Sequence, residues 1–159
     1  MIEHVKIIAR ARLSVPQTRS EGDAGQSVPM FLSRVQAGFP SPAEDFIEGT
    51  LDLNAHLVHH PAATFLLRVS GESMTGAGIF PDDILIVDRS ITPANGHIVI
   101  AVVAGELTVK RFEKKCDRVR LLPENPAFKP IVPCEGDEVE IWGVVAHAIH
   151  SFGRSFEVK

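Results

Sequence analysis

Cysteine is scarce in this sequence: Cys116 and Cys134 are the two it has. They are too few for a disulfide scaffold and lack the spacing of paired metal ligands, so both read as reduced thiols in a cytosolic protein. Positive charge is not in excess either. With 16 basic residues against 20 acidic ones, the formal charge is −4. That gives no electrostatic reason to bind nucleic acid directly, and a role at DNA would run through a protein partner. Long apolar runs are missing near the start. Glu3, Lys6, Arg10 and Arg12 interrupt residues 1–14 before a signal peptide or membrane span can form. Nor do residues 1–37 contain two regular helices joined by a turn, which a helix-turn-helix reader of DNA requires.

What is present is a chain of 159 residues, 45% hydrophobic, with glycine and proline spread throughout. This suits one modest globular domain with a sizeable core. Residues 6–15 alternate loosely, with Ile7, Ala9, Ala11, Leu13 and Val15 on one side, as in an edge strand or an adhesive arm; a helix is the alternative. Residues 16–29 are rich in Ser, Gly, Gln and charge and read as a flexible linker. A short helix is expected within 44–54, before the His59-His60-Pro61 break. His56, His59 and His60 have no cysteine nearby and form a poor ligand set, so they read as surface histidines, with no metal or cofactor expected. Strands are expected at 65–69, 84–87, 97–103, 106–112, 119–122, 129–132 and 138–149, the third and fourth joined by a hairpin at Ala104-Gly105. Pro123-Glu124-Asn125-Pro126 reads as a turn, and Trp142 as a core or interface residue. The class is mostly β.

Chemistry concentrates at Ser70-Gly71-Glu72-Ser73-Met74, a small-residue bend after an apolar run. It presents the Ser73 hydroxyl on a tight turn, a setting that suits a nucleophile. Thr75 stands where the Gly-x-Ser-x-Gly elbow of the α/β hydrolases needs glycine, so that motif is incomplete. A Ser-His-Asp triad using His97 and Asp88 stays open. The other available base is Lys110, in the alternating stretch Glu106-Leu107-Thr108-Val109-Lys110-Arg111-Phe112, on one face with Thr108 and Phe112. An ordinary lysine pKa is about 10.4, so such a base has to be buried against apolar walls; Val109, Phe112 and the 84–87 strand are the candidates. Taken alone, the pair reads more simply as a turn serine and a solvated strand lysine. Ala37-Gly38 alone is likewise a plain bend, although flanking Val35 and Phe39 would suit apolar subsites.

Three stretches change that reading: Ala37-Gly38-Phe39-Pro40-Ser41-Pro42-Ala43, then Ser70-Gly71-Glu72-Ser73-Met74 with Ile84-Leu85-Ile86-Val87-Asp88, then Gly105-Glu106-Leu107-Thr108-Val109-Lys110. In their order and spacing, from Phe39 to about His147, the chain resembles the UmuD-type subunits of error-prone DNA polymerases, members of the self-cleaving family that includes the LexA repressor. The resemblance implies a LexA- and signal-peptidase-like catalytic domain of curved sheets, with few short helices and an extended N-terminal arm. It also implies that Ser73 is the nucleophile and Lys110 its base. The scissile bond would be Ala37-Gly38, 36 residues before Ser73, and Lys110 follows 37 residues after it. Residues 1–37 would be an arm removed by self-cleavage, and 38–159 the peptidase and dimerisation domain. This arm is longer than such proteins usually carry. Backbone N–H groups of Ser73 and Met74 would hold the oxyanion.

The same resemblance implies a homodimer, activation by a RecA filament on single-stranded DNA after DNA damage, and a UmuC-like Y-family polymerase as partner in lesion bypass. Signal peptidases share the Ser/Lys dyad but work at a membrane through an anchor, which is not expected here. Three alternatives stay open. They are an interaction subunit whose Ser/Lys pair is inert, a general peptidase acting on other proteins, and a LexA-like repressor fragment.

Overall fold

The computed structural model describes residues 27–31, 47–116, 118–134 and 137–153. They belong to two compact units, which meet in sequence between His59 and His60.

The smaller unit is a hairpin followed by one turn of helix. Strands β1 (Ser27–Phe31) and β2 (Ile47–Asp52) pair antiparallel, Ser27 opposite Asp52 and Phe31 opposite Ile47. The linker expected over 16–29 and the helix expected over 44–54 thus give way in part to strands. Cross-strand pairing is non-local, and it overrides a turn-rich local composition. Helix α1 (Leu53–Leu57) begins only after the strand ends. Asp52 makes the switch, because its Oδ1 accepts from the N–H groups of Asn54 and Ala55 at 2.9 and 3.2 Å, two donors a first turn leaves open. With no buried residue, α1 depends on this cap more than on packing. The 6–15 stretch lies outside the described residues.

The larger unit, from His60 onward, holds the buried hydrophobic core. Its frame is one antiparallel sheet of six strands: β3 (Thr64–Arg68), β4 (Ile84–Asp88), β5 (Ile98–Val103), β6 (Glu106–Lys115), β7 (Arg118–Leu122) and β8 (Val139–Ile149). In space the order is β3-β4-β8-β5-β6-β7, so the last strand inserts at the centre between β4 and β5. The chain is mostly β, with only α1 and a 3-10 turn at Thr75–Ala77 as helical elements among the described residues. None of their helices is long and apolar enough to cross a membrane.

Strand alternation sorts the core onto two faces. Val69, Met74, Ile79, Leu85, Val87, Ile100 and Trp142 form one buried cluster; Val99, Ala101, Phe112, Leu121, Val139 and Val144 form the other. Consecutive residues Val99, Ile100 and Ala101 fall in alternate clusters, so β5 is buried on both sides. That explains its unbroken apolar run, and each such large side chain contributes about 1.5–3 kcal/mol of burial. Trp142 is a core residue, with its ring 5.2 Å from Phe65 and the Arg89 guanidinium 4.9 Å above it. Its Nε1 has no hydrogen-bond partner among the described residues.

Between β5 and β6 the two-residue turn Ala104-Gly105 has φ of 50° and 83°, the left-handed pair that closes a tight hairpin with the correct twist. The strand expected over 129–132 is reduced to a single bridge, Leu121 with Ile131, bonded both ways at 2.9 Å. Pro130 and Pro133 flank it and lack the N–H groups that would extend a ladder.

Candidate active site

Leaving β3, the chain bends through residues 70–74. Gly71 takes φ of 84°, a conformation side chains with a Cβ rarely adopt, so the second residue of the pentad is glycine for a backbone reason. Met74 anchors the far end of the bend. It is 1% exposed, and its carbonyl accepts from the N–H groups of Ala77 and Ile79. Ser73 is therefore held between a left-handed glycine and a buried methionine.

Lys110 comes from β6, opposite Val99 of β5. It is 7% exposed, an unusual depth for lysine. Val99 and Phe112, buried on its side of the sheet, account for that depth. Val109, expected as a wall, packs instead with the cluster of Leu85 and Val87, since consecutive strand residues point to opposite faces. Burial penalises the ammonium and pushes the Lys110 pKa below the ordinary lysine value. Nζ donates to Ser73 Oγ at 2.9 Å, to Thr108 Oγ1 at 2.8 Å and to Val109 O at 2.9 Å. Two residues 37 apart in sequence thus meet at hydrogen-bond distance, and the lysine makes no ion pair among the described residues.

A second contact with the bend was not legible beforehand. Glu124 N–H donates to Ser73 O at 2.8 Å, Asn125 Nδ2 donates to Glu72 O at 2.9 Å, and Gly76 N–H donates to Glu124 O at 2.7 Å. The Pro123-Glu124-Asn125-Pro126 stretch is a turn, as its composition indicates, and it also braces the serine. The only hint in the sequence is a proline bracket around two hydrogen-bonding side chains, which marks a turn without saying what it touches.

The other residues considered go elsewhere. Asp88 is 4% exposed, and its Oδ1 accepts from Ser90 N–H and Ser90 Oγ while Oδ2 meets His60 Nδ1 at 2.6 Å. His97 Nδ1 accepts from Ala94 N–H. A triad of Ser73, His97 and Asp88 is therefore not assembled, and His60, exposed at the surface as expected, is also the partner of a buried carboxylate. Among the described residues no cluster of three or more His, Cys, Asp or Glu is placed to hold a metal. Cys116 and Cys134 are both exposed and free. Ala37 and Gly38 lie outside the described residues.

Comparison with known proteins identifies the family. Residues 29–146 match the family described as peptidase S24-like. Protein ImpA of Salmonella typhimurium is 48% identical over 81% of this chain and 88% of its own. Protein MucA of Escherichia coli is 45% identical over 77% of this chain and 84% of its own. The LexA repressor of Acidithiobacillus ferrooxidans is 42% identical over 95% of this chain and 78% of its own. The chain belongs to the peptidase S24-like family, the serine peptidase family of LexA and the UmuD-type proteins.

Proposed function

We propose that this protein is a self-cleaving accessory subunit of a translesion DNA polymerase, cut at Ala37-Gly38 by a Ser73/Lys110 dyad in the response to DNA damage. The observation that carries the reading is the 2.9 Å contact between a buried lysine amine and the Ser73 hydroxyl. Neutral Lys110 takes the Ser73 proton as Ser73 Oγ bonds to the Ala37 carbonyl carbon. The tetrahedral oxyanion is held by backbone N–H groups at the bend. Its collapse breaks the carbon–nitrogen bond, and Lys110 returns the proton to the departing Gly38 amine. Water, deprotonated by the same amine, then hydrolyses the ester and frees residue 37. Since the substrate is part of the same polypeptide, its effective concentration is high and each chain turns over once.

Family membership supports the remaining steps. A RecA filament on single-stranded DNA favours the docked, cleavable state. The product, residues 38–159, forms a homodimer and joins a UmuC-like Y-family polymerase in the cytoplasm, and the intact arm, residues 1–37, holds that activity back.

The test is intact mass over time at pH 7 to 10 for wild type, Ser73→Ala and Lys110→Ala. A fragment beginning at Gly38, forming faster as pH rises and absent from both variants, is the expected result. If the chain stays whole even with RecA and single-stranded DNA, the inert interaction subunit is the better account. The repressor-fragment alternative has one observation in its favour: the LexA match extends over 95% of the chain. Tight binding of the intact chain to duplex DNA would support it; the acidic balance predicts none.

A further inference from the structure

The brace described above acts on two particular peptide units. Glu72 O, held by Asn125 Nδ2, belongs to the same unit as Ser73 N–H; Ser73 O, held by Glu124 N–H, belongs to the same unit as Met74 N–H. The described peptide bonds are all trans. In a planar trans unit the C=O and N–H point in opposite directions. Fixing both carbonyls onto the 123–126 turn therefore aims the Ser73 and Met74 N–H groups away from it. Neither N–H donates to an acceptor among the described residues. Two adjacent backbone donors, oriented and open on the nucleophile's own bend, are what a developing oxyanion requires.

We propose that the 123–126 turn sets the oxyanion donors, with Asn125 as a positioning residue that acts through the Glu72–Ser73 peptide. The inference rests on the reading of Ser73 as nucleophile. The turn is itself rigidly held. Asn125 Oδ1 accepts from Ala127 N–H and Asn125 O from Phe128 N–H, both at 3.0 Å, while the Leu121–Ile131 bridge closes the loop behind them. The Glu124 carboxylate pairs with Arg111 Nε, and Arg111 Nη1 donates to Gly96 O at 2.6 Å. Arg111 follows Lys110 on β6, so one turn ties the nucleophile's bend to the strand that carries its base. Gly76 permits the approach, since a Cβ there would lie 2.2 Å from Glu124 O.

The experiment uses the full chain, with self-cleavage followed by intact mass from pH 7 to 10 and thermal unfolding measured alongside. Asn125→Asp keeps an acceptor for Ala127 N–H but loses the donor to Glu72 O; Asn125→Ala loses both; Asn125→Gln keeps an amide donor. The expected result for Asn125→Ala is a limiting rate about 10- to 100-fold lower, with the pH midpoint and melting temperature unmoved. Asn125→Asp should be slowed as well, and Asn125→Gln should recover part of the rate. Wild-type rates in both Asn125→Ala and Asn125→Asp would overturn the proposal, as would a loss that follows a shifted pH midpoint or a lowered melting temperature. A wild-type chain that never cleaves, or a Ser73→Ala chain that does, overturns the nucleophile reading itself and this inference with it.

Discussion

Thr108 Oγ1 lies 2.8 Å from Lys110 Nζ, two residues back along the same face of β6. Together with Val109 O and Ser73 Oγ it fills the three positions around the amine. When the amine loses a proton only two N–H bonds remain. A carbonyl can only accept, so Val109 O keeps one; if Thr108 Oγ1 keeps the other, the lone pair is left facing the Ser73 hydroxyl. Thr108→Val preserves shape and strand propensity but removes that acceptor. The second hydrogen is then free to turn to Ser73 Oγ, with the lone pair misdirected. Single-turnover cleavage of this variant should have a limiting rate about tenfold below wild type, a part of the roughly 10²–10⁴-fold that a general base contributes.

The buried amine also makes stability depend on pH. Burial lowers the folded-state pKa of Lys110, whereas the unfolded value stays near 10.4. Between those two values the unfolded chain binds more protons, so the contribution of Lys110 to stability rises with pH through that window. Below the folded pKa the full penalty applies; above about 10.4 it is gone. Lys110→Met fills similar volume and does not titrate. Urea unfolding midpoints at pH 7, 8.5 and 10 should show wild type gaining on Lys110→Met as pH rises. A difference independent of pH would mean that the lysine is as easily protonated in the fold as in the unfolded chain.

Asp88 has the opposite sign. Burial alone would raise its pKa, but hydrogen bonds from Ser90 and the His60 contact outweigh it and hold the carboxyl below the usual range. A lowered acid pKa stabilises the fold above the unfolded value of about 3.9, and that stability is lost as pH falls through the folded pKa. Asp88→Asn keeps the size and loses the charge. At pH 7 it should cost about 1–3 kcal/mol, the usual penalty for breaking a buried charge-assisted hydrogen-bond set, and wild type should lose this advantage on acidification below about pH 4. Denaturant titrations of both proteins at pH 7 and pH 3 measure the convergence.

These residues show what a linear reading can reach. Ser73, Lys110 and the Ala104-Gly105 hairpin are legible because local rules of turn chemistry and alternation fix them, and the motif order supplies the pairing of Ser73 with Lys110. The core strands are legible for the same reason, with bounds within a few residues of those observed. Strand β1 is not, since residues 27–29 look like the end of a linker until β2 pairs with them. The roles of Glu124 and Asn125 are hidden more deeply. Their contacts to the bend span about 50 residues and run through backbone carbonyls, which every residue has, so no side-chain pattern announces them. His60 is exposed, as a surface histidine is, but a single histidine gives no sign of the buried aspartate it meets at the end of β4.

Two glycines near Ser73 should fail for different reasons when replaced by alanine. At Gly71 nothing lies within 4 Å of a built Cβ, and the obstacle is φ of 84° alone. Gly71→Ala should therefore cost about 1–2 kcal/mol, the usual strain of a left-handed residue with a side chain. At Gly76 the backbone is unexceptional, but a Cβ would meet Glu124 O at 2.2 Å, and a backbone carbonyl cannot rotate out of the way as a side chain would. Relief has to come from displacing the 123–126 turn, which breaks the Gly76 to Glu124 hydrogen bond and loosens those to Glu72 and Ser73. Gly76→Ala should cost more than about 2 kcal/mol, in the range of overpacking substitutions, and should slow self-cleavage further than Gly71→Ala does at equal folded fraction. Thermal unfolding together with intact-mass kinetics separates the two. Equal cleavage rates in the folded fractions of both variants would mean that the turn's position does not matter to Ser73.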